Sequence, residues 1–219
     1  MSFGASPDRP AEYRYGVVLV LALILVIFQI VAPADDWSRA VFVALEAAAL
    51  LTAVATARER REIRRLRAII VAVAGAIIVV GVASDLLSAK VTFLLATLLA
   101  LAIPVTLIGG LVRLIRSRGV TIPAVCGALA IYLVVGLLFA SAISFVTYLG
   151  SGPYFAQGTD GSAGDRVYFS FTVMTTTGFG DFTPATAVGH ALAVLEMLVG
   201  QLYLVTVIGI LVGNLARRR

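Results

Sequence analysis

Residues 166–184 read RVYFSFTVMTTTGFGDFTP, and the fold is decided by how this stretch is read. Its first ten residues, Arg166 to Thr175, are too apolar for a plain loop and too few to cross a bilayer. About ten residues of helix cover roughly 15 Å, half the hydrocarbon thickness. Next come a run of threonines and then Gly178-Phe179-Gly180-Asp181. A half-crossing helix with such a segment behind it predicts a re-entrant element. Bare backbone at membrane depth is tolerated only where it is buried in protein or lines a water-filled path. Asp165 is placed to cap the first turn. The preceding GSGPYFAQGTDGSAGD, residues 150–165, reads as a flexible extracellular loop.

The rest of the chain agrees with a membrane setting. Of its 219 residues 60% are hydrophobic and 13% are charged, against roughly 45–50% apolar and 25% charged in a soluble domain. Such a chain has more apolar surface than a globule of its size can hide. The composition excludes a soluble enzyme, a disordered tail and a nucleic-acid-binding domain, despite a formal net charge of +5. One cysteine, Cys126, and one histidine, His190, offer neither a disulfide framework nor a metal cluster, and no cofactor is expected. A spanning helix needs about 20 predominantly apolar residues. Such runs are Tyr15–Pro33, Ser38–Ala57, a short Ala68–Ala83, Val91–Ile115 with Pro104 as a kink site, Pro123–Leu149 and Ala187–Leu215. The first is long, with no small-residue cleavage site behind it, and so is not a signal peptide.

Arginines set the orientation. Arg9 and Arg14, the run from Arg58 to Arg67, Arg113 to Arg118, and Arg217 to Arg219 place fourteen of the seventeen basic residues on one side. Arg39, Lys90 and Arg166 lie on the other with Asp35, Asp36, Asp85, Asp160, Asp165 and Asp181. The positive-inside rule puts both termini in the cytoplasm, which requires an even number of spans. The expected fold is an all-α integral membrane protein with six transmembrane helices, a re-entrant pore helix and a selectivity-filter loop between helices five and six. Its expected divisions are a cytoplasmic segment 1–14, a four-helix membrane domain 15–115 and a pore domain 116–219.

The segment Thr175 to Asp181 carries the chemistry. A dehydrated K+ ion needs oxygens in place of its water shell, and backbone carbonyls supply them if an extended strand turns successive C=O groups toward one axis. Residues with a Cβ resist the alternating conformations this requires, hence Gly178 and Gly180. Four such strands would stack rings from the carbonyls of Thr176, Thr177, Gly178 and Phe179, with the Thr176 hydroxyl as the innermost ring. Gly180 completes the filter and Asp181 its outer mouth. Phe179 is expected to point away from the axis and brace against Tyr168 and Phe169.

From about Pro123 to Asn214 the sequence resembles the potassium-channel pore family, whose signature is T-x-x-T-x-G-[YF]-G-D. Thr176, Gly178, Phe179, Gly180 and Asp181 match it, while Val173 stands at the first threonine and Thr177 where Val or Ile is usual. The six-helix layout with one pore loop is similar to that of prokaryotic potassium channels of voltage-gated type, without the arginine sensor. Val91 to Val112 holds no charged residue, and Arg113, Arg116 and Arg118 come after it as cytoplasmic anchors. The resemblance implies K+ as permeant ion, a homotetramer in the lipid bilayer of the bacterial plasma membrane, and a hinge glycine at Gly200, twenty residues after Gly180. Close helix packing is the other reading of Gly200. Helical spacing places Gln201, Leu204, Ile208 and Leu211 or Val212 around the cavity. Glu196 and Glu46 are intramembrane carboxylates, rare and usually functional; Glu196 is expected to hydrogen-bond behind the filter and Glu46 to pair within the helical bundle. A weakly selective cation channel, and a transporter or non-conducting subunit, remain alternatives. Nothing in the 219 residues reads as a cytoplasmic ligand-binding domain.

Overall fold

A computed structural model of the chain describes residues 13–33, 35–56, 69, 71–77, 80–81 and 89–216. Among these the protein is helical: α1 (Tyr13–Val31), α2 (Asp36–Thr56), α3 (Ala89–Arg118), α4 (Ile122–Leu149), α5 (Ala163–Met174), α6 (Ala187–Leu202), a π-helix (Tyr203–Ile208) and α7 (Gly209–Ala216). Of the third expected span, residues 69, 71–77 and 80–81 are helical, and the rest lies outside the described residues. The arginine run 58–67, the segment 1–12 and Arg217 to Arg219 also lie outside them.

Two helical stretches, Ile122–Leu149 and Ala187–Asn214, each of 28 residues, are long and apolar enough to cross a membrane. The second runs through α6, the π-helix and α7 without a break. Helix α3 continues through Pro104 and carries Arg113, Arg116 and Arg118 in its last two turns.

The helices pack through small residues. Tyr15, Val18, Ala22 and Leu25, spaced three and four apart, bury one face of α1. Opposite them lie Ala124, Ala128 and Ile131 of α4. A Cβ on Gly127 would fall 2.7 Å from the Tyr15 ring, so the missing side chain is what seats the tyrosine. Ala49, Leu50, Ala53 and Val54 of α2 and Leu107 and Leu111 of α3 complete the core. Such close approach replaces the hydrophobic drive that lipid does not supply. The other face of α1 exposes Val17, Val20, Ile24 and Ile27. Glu46 is buried in this bundle, and its Oε2 has no hydrogen-bond partner among the described residues.

A second cluster holds the site in place. Tyr154 and Phe155, from the loop after α4, are buried against Ile143, Phe169, Val173 and Ala193. The loop that reads as flexible is in fact tied down. Phe155 bridges to Thr159 and Pro184, the Ala156 amide donates to the Thr183 carbonyl, and the Ala185 amide to that of Tyr154. The two buried rings explain this: they anchor a stretch whose glycines and serines alone would leave it loose.

Candidate functional site

Helix α5 begins three residues before Arg166 because Ser162 and Asp165 form a capping box. The Asp165 amide donates to Ser162 Oγ at 3.1 Å, and the Ser162 amide to Asp165 Oδ2 at 2.8 Å. Gly164 packs so tightly beneath α1 that a Cβ would meet the Ile30 carbonyl oxygen at 2.8 Å. The helix ends at Met174, and its C-terminal carbonyls accept amides from the next residues of the chain. The Thr172 carbonyl accepts the amides of Thr177 at 2.8 Å and Gly178 at 3.1 Å, and the Val173 carbonyl accepts that of Thr176 at 2.9 Å. These N–H groups point back at α5, leaving the carbonyls of the segment to face elsewhere.

Backbone torsions alternate along it. Thr176 has φ +58°, Gly178 +53° and Gly180 +79°, while Thr177 and Phe179 between them keep negative φ. Alternation of hand with period two turns consecutive carbonyls of an extended strand to one side, the arrangement a dehydrated cation requires. Glycine accepts positive φ freely. Thr176 does not: it is the only non-glycine with positive φ among the described residues, and β-branched residues there carry strain of about 1–3 kcal/mol. A Cβ on Gly178 or Gly180 would meet nothing within 4 Å, so conformation rather than space reserves both positions for glycine. Thr175 to Asp181 are all exposed in the single chain.

Side chains brace the strand from behind. Phe179 stacks on Tyr168, with ring centroids 6.3 Å apart and planes 3° from parallel. Phe169 turns away and joins Tyr154 and Phe155 edge to face, so only one of the two expected braces touches Phe179. Asp181 accepts a hydrogen bond from the Tyr168 phenol, which pushes that phenol above its ordinary range, and also holds the Phe182 amide at 3.0 Å. Burial pushes the Tyr154 phenol up as well. The Thr175 and Thr177 hydroxyls lie 2.9 Å apart, and Thr175 Oγ1 donates to the Phe171 carbonyl at 2.6 Å.

From α6, Gln201 donates through Nε2 to Thr176 Oγ1 at 3.3 Å, which brings Gln201 to the inner end of the segment. Gly200 lies against Met174, and a Cβ there would be 2.5 Å from the Met174 carbonyl oxygen. Close packing is therefore a sufficient reason for this glycine. Beyond it the π-helix alters the expected face: Leu204 is half-buried, Ile208 packs on the core of α1, α2 and α4, Leu211 is buried there, and Val205 and Val212 are exposed. The carbonyl of Leu204 accepts the Gly209 amide, the i to i+5 bond of a π turn.

Two functional positions are not visible in the sequence pattern alone. Ser170, fully buried on α5, touches both the Gly136 carbonyl and Glu196; a serine on the apolar α5 is the available signal. The other is Thr172, whose backbone carbonyl does the work and leaves no mark on residue type.

Residues 128–217, less than half of the chain, match a family model described as "Ion channel". The match runs from α4 through the Thr175–Asp181 segment and past α7, and it points to a channel rather than an enzyme. No curated protein matches the chain, and no solved structure does.

Proposed function

We propose that the ion channel domain of residues 128–217 is a potassium-selective pore, and that four copies of the chain surround one axis. In this reading α4 and the helix continuing from α6 to α7 span the membrane. Helix α5 enters from the outer side, the segment after it returns to that side, and Thr176, Thr177, Gly178, Phe179 and Gly180 line the filter. The single observation that carries it is the backbone alternation at Thr176, Gly178 and Gly180, with the Thr177 and Gly178 amides held by Thr172. That alternation supports a ligand lying along the carbonyl face, and in the fourfold reading one strand supplies one quarter of an ion's coordination shell. K+ passes as it exchanges its water oxygens for successive carbonyls. Six spans, both termini in the cytoplasm and a bacterial plasma membrane complete the proposal, supported by the arginine distribution. Single-channel recording in bilayers with opposed K+ and Na+ gradients tests it. A reversal potential near that of K+ is expected; one near zero would make the protein a weakly selective cation channel, and silence a transporter or non-conducting subunit.

A further inference from the structure

Ser170 stands at the point where three helices meet behind the filter. Its Oγ lies 2.7 Å from the Gly136 carbonyl oxygen of α4 and hydrogen-bonds to Glu196 Oε1 of α6. All partners are inside: Ser170 and Glu196 are both 0% exposed. A hydroxyl has one proton, and a carbonyl can only accept. If Ser170 donates to the carboxyl group, its oxygen and that of Gly136 face each other with no hydrogen between them. If it donates to Gly136, the Glu196 contact has a proton only when Glu196 supplies it.

Two further observations select the second arrangement. Glu196 Oε2 has no hydrogen-bond partner among the described residues, and an ionised carboxylate would leave that oxygen bare in a dry interior, an expensive arrangement. Among the described residues the groups acting on Glu196 are the Ser170 hydroxyl and the phenols of Tyr132 and Tyr154, and no cation faces it.

We infer that Glu196 is a positioning residue that works as a hydrogen-bond donor: its carboxyl O–H donates to Ser170 Oγ, and the Ser170 O–H donates to the Gly136 carbonyl. This relay joins α6, α5 and α4 at one point, two residues before the Thr172 carbonyl that holds the Thr177 and Gly178 amides. It fixes the depth of α5 and, through Thr172, the orientation of the filter carbonyls. Gly136 suits the role because a Cβ there would strike the Phe171 ring at 2.7 Å, so α5 reaches that carbonyl only past a glycine. The consequence for permeation rests on the potassium-pore reading; the donor itself does not.

Infrared spectroscopy and bilayer recording on the full-length protein test the two parts separately. The wild type minus E196Q difference spectrum at neutral pH should contain the carbonyl stretch of a protonated carboxyl group. Its absence would overturn the relay whether or not the protein conducts. In recordings, E196Q keeps an N–H donor toward Ser170 and should preserve the K+ over Na+ permeability ratio. E196L and S170A should each lower it about tenfold, the scale of one buried hydrogen bond lost. The double variant should be no worse than either single one. An E196Q channel as impaired as E196L would show that Glu196 acts as an ionised acceptor and overturn the inference, as would E196L with unchanged selectivity. A wild type that conducts Na+ and K+ alike would instead overturn the pore reading, and the infrared band would still decide the donor.

Discussion

The backbone of Met174, where α5 ends, rests directly on Gly200 of α6: a methyl group on that glycine would sit 2.5 Å from the Met174 carbonyl oxygen and 2.5 Å from its Cγ. The obstructing carbonyl is backbone, so it cannot swing aside as a side chain would. Gly200→Ala should therefore lower the stability of the folded assembly by about 1–3 kcal/mol, the usual effect of overpacking. Thermal unfolding in detergent measures this. A variant of unchanged stability and altered opening would assign Gly200 to hinge bending instead.

At Gly178 and Gly180 the expectation differs, since open space surrounds both. Alanine there meets no neighbour but must hold φ of +53° or +79°, at about 1–2 kcal/mol per residue. Relaxation to negative φ would turn a carbonyl away from its face. If the segment is the proposed filter, Gly178→Ala and Gly180→Ala should each abolish K+ flux in liposomes while the elution volume on a sizing column stays that of the wild type. Normal flux through either variant would remove the filter assignment.

Tyr168 offers a titration beside Asp181. Its phenol donates to Asp181 and lies above the ordinary value of 10.0, chiefly because of that bond. The bond is fully present below pH 10.0 and is lost as pH rises through the raised value. In an absorbance titration, the phenolate component that disappears in Tyr168→Phe should titrate later than a free tyrosine. In Asp181→Asn the same component should move back down. A component of ordinary titration in the wild type would mean that the two residues are not bonded in solution.

Gating by voltage should be shallow. Moving one charge through the field is worth about 2.3 kcal/mol per 100 mV, and steep gating takes roughly three or four charges per subunit. Between Ala89 and Val112, α3 carries Lys90 alone, and Arg113, Arg116 and Arg118 are confined to its C-terminal end. Conductance in symmetrical K+ should change little over the physiological voltage range. A steep sigmoid equivalent to several charges would show that α3 moves these arginines through the field.

Much of the helical layout was legible because apolar runs of spanning length leave few other structures open to them, and α1, α2, α4 and α6 lie where the runs do. The glycines at Gly178 and Gly180 were legible as positions of unusual backbone, because glycine adopts positive φ without the cost that a Cβ brings. Thr176 was not, since a β-branched residue is a poor signal for positive φ and is held there by the amide bonds to α5. Phe169 could not be assigned to the Tyr154–Phe155 cluster without knowing that the loop after α4 folds back. The expected place of Ile208 on the cavity face came from regular helical spacing, and the intervening π turn breaks that regularity.

The π turn from Tyr203 to Ile208 sets the rotational phase of α7 relative to α6. One residue advances an α-helix by about 100°, and a π turn holds an extra residue relative to an α turn. Straightening Tyr203–Ile208 to α geometry would thus rotate α7 by about that angle about its own axis, with no bend and no change of sequence. The Tyr203 phenol, which donates to the Ala128 carbonyl at 2.7 Å, is the latch such a rotation would have to release. Ile208 and Leu211 would turn out of the hydrophobic core in which they pack. A change of this kind would turn the helix about its own axis, where a glycine would let it bend.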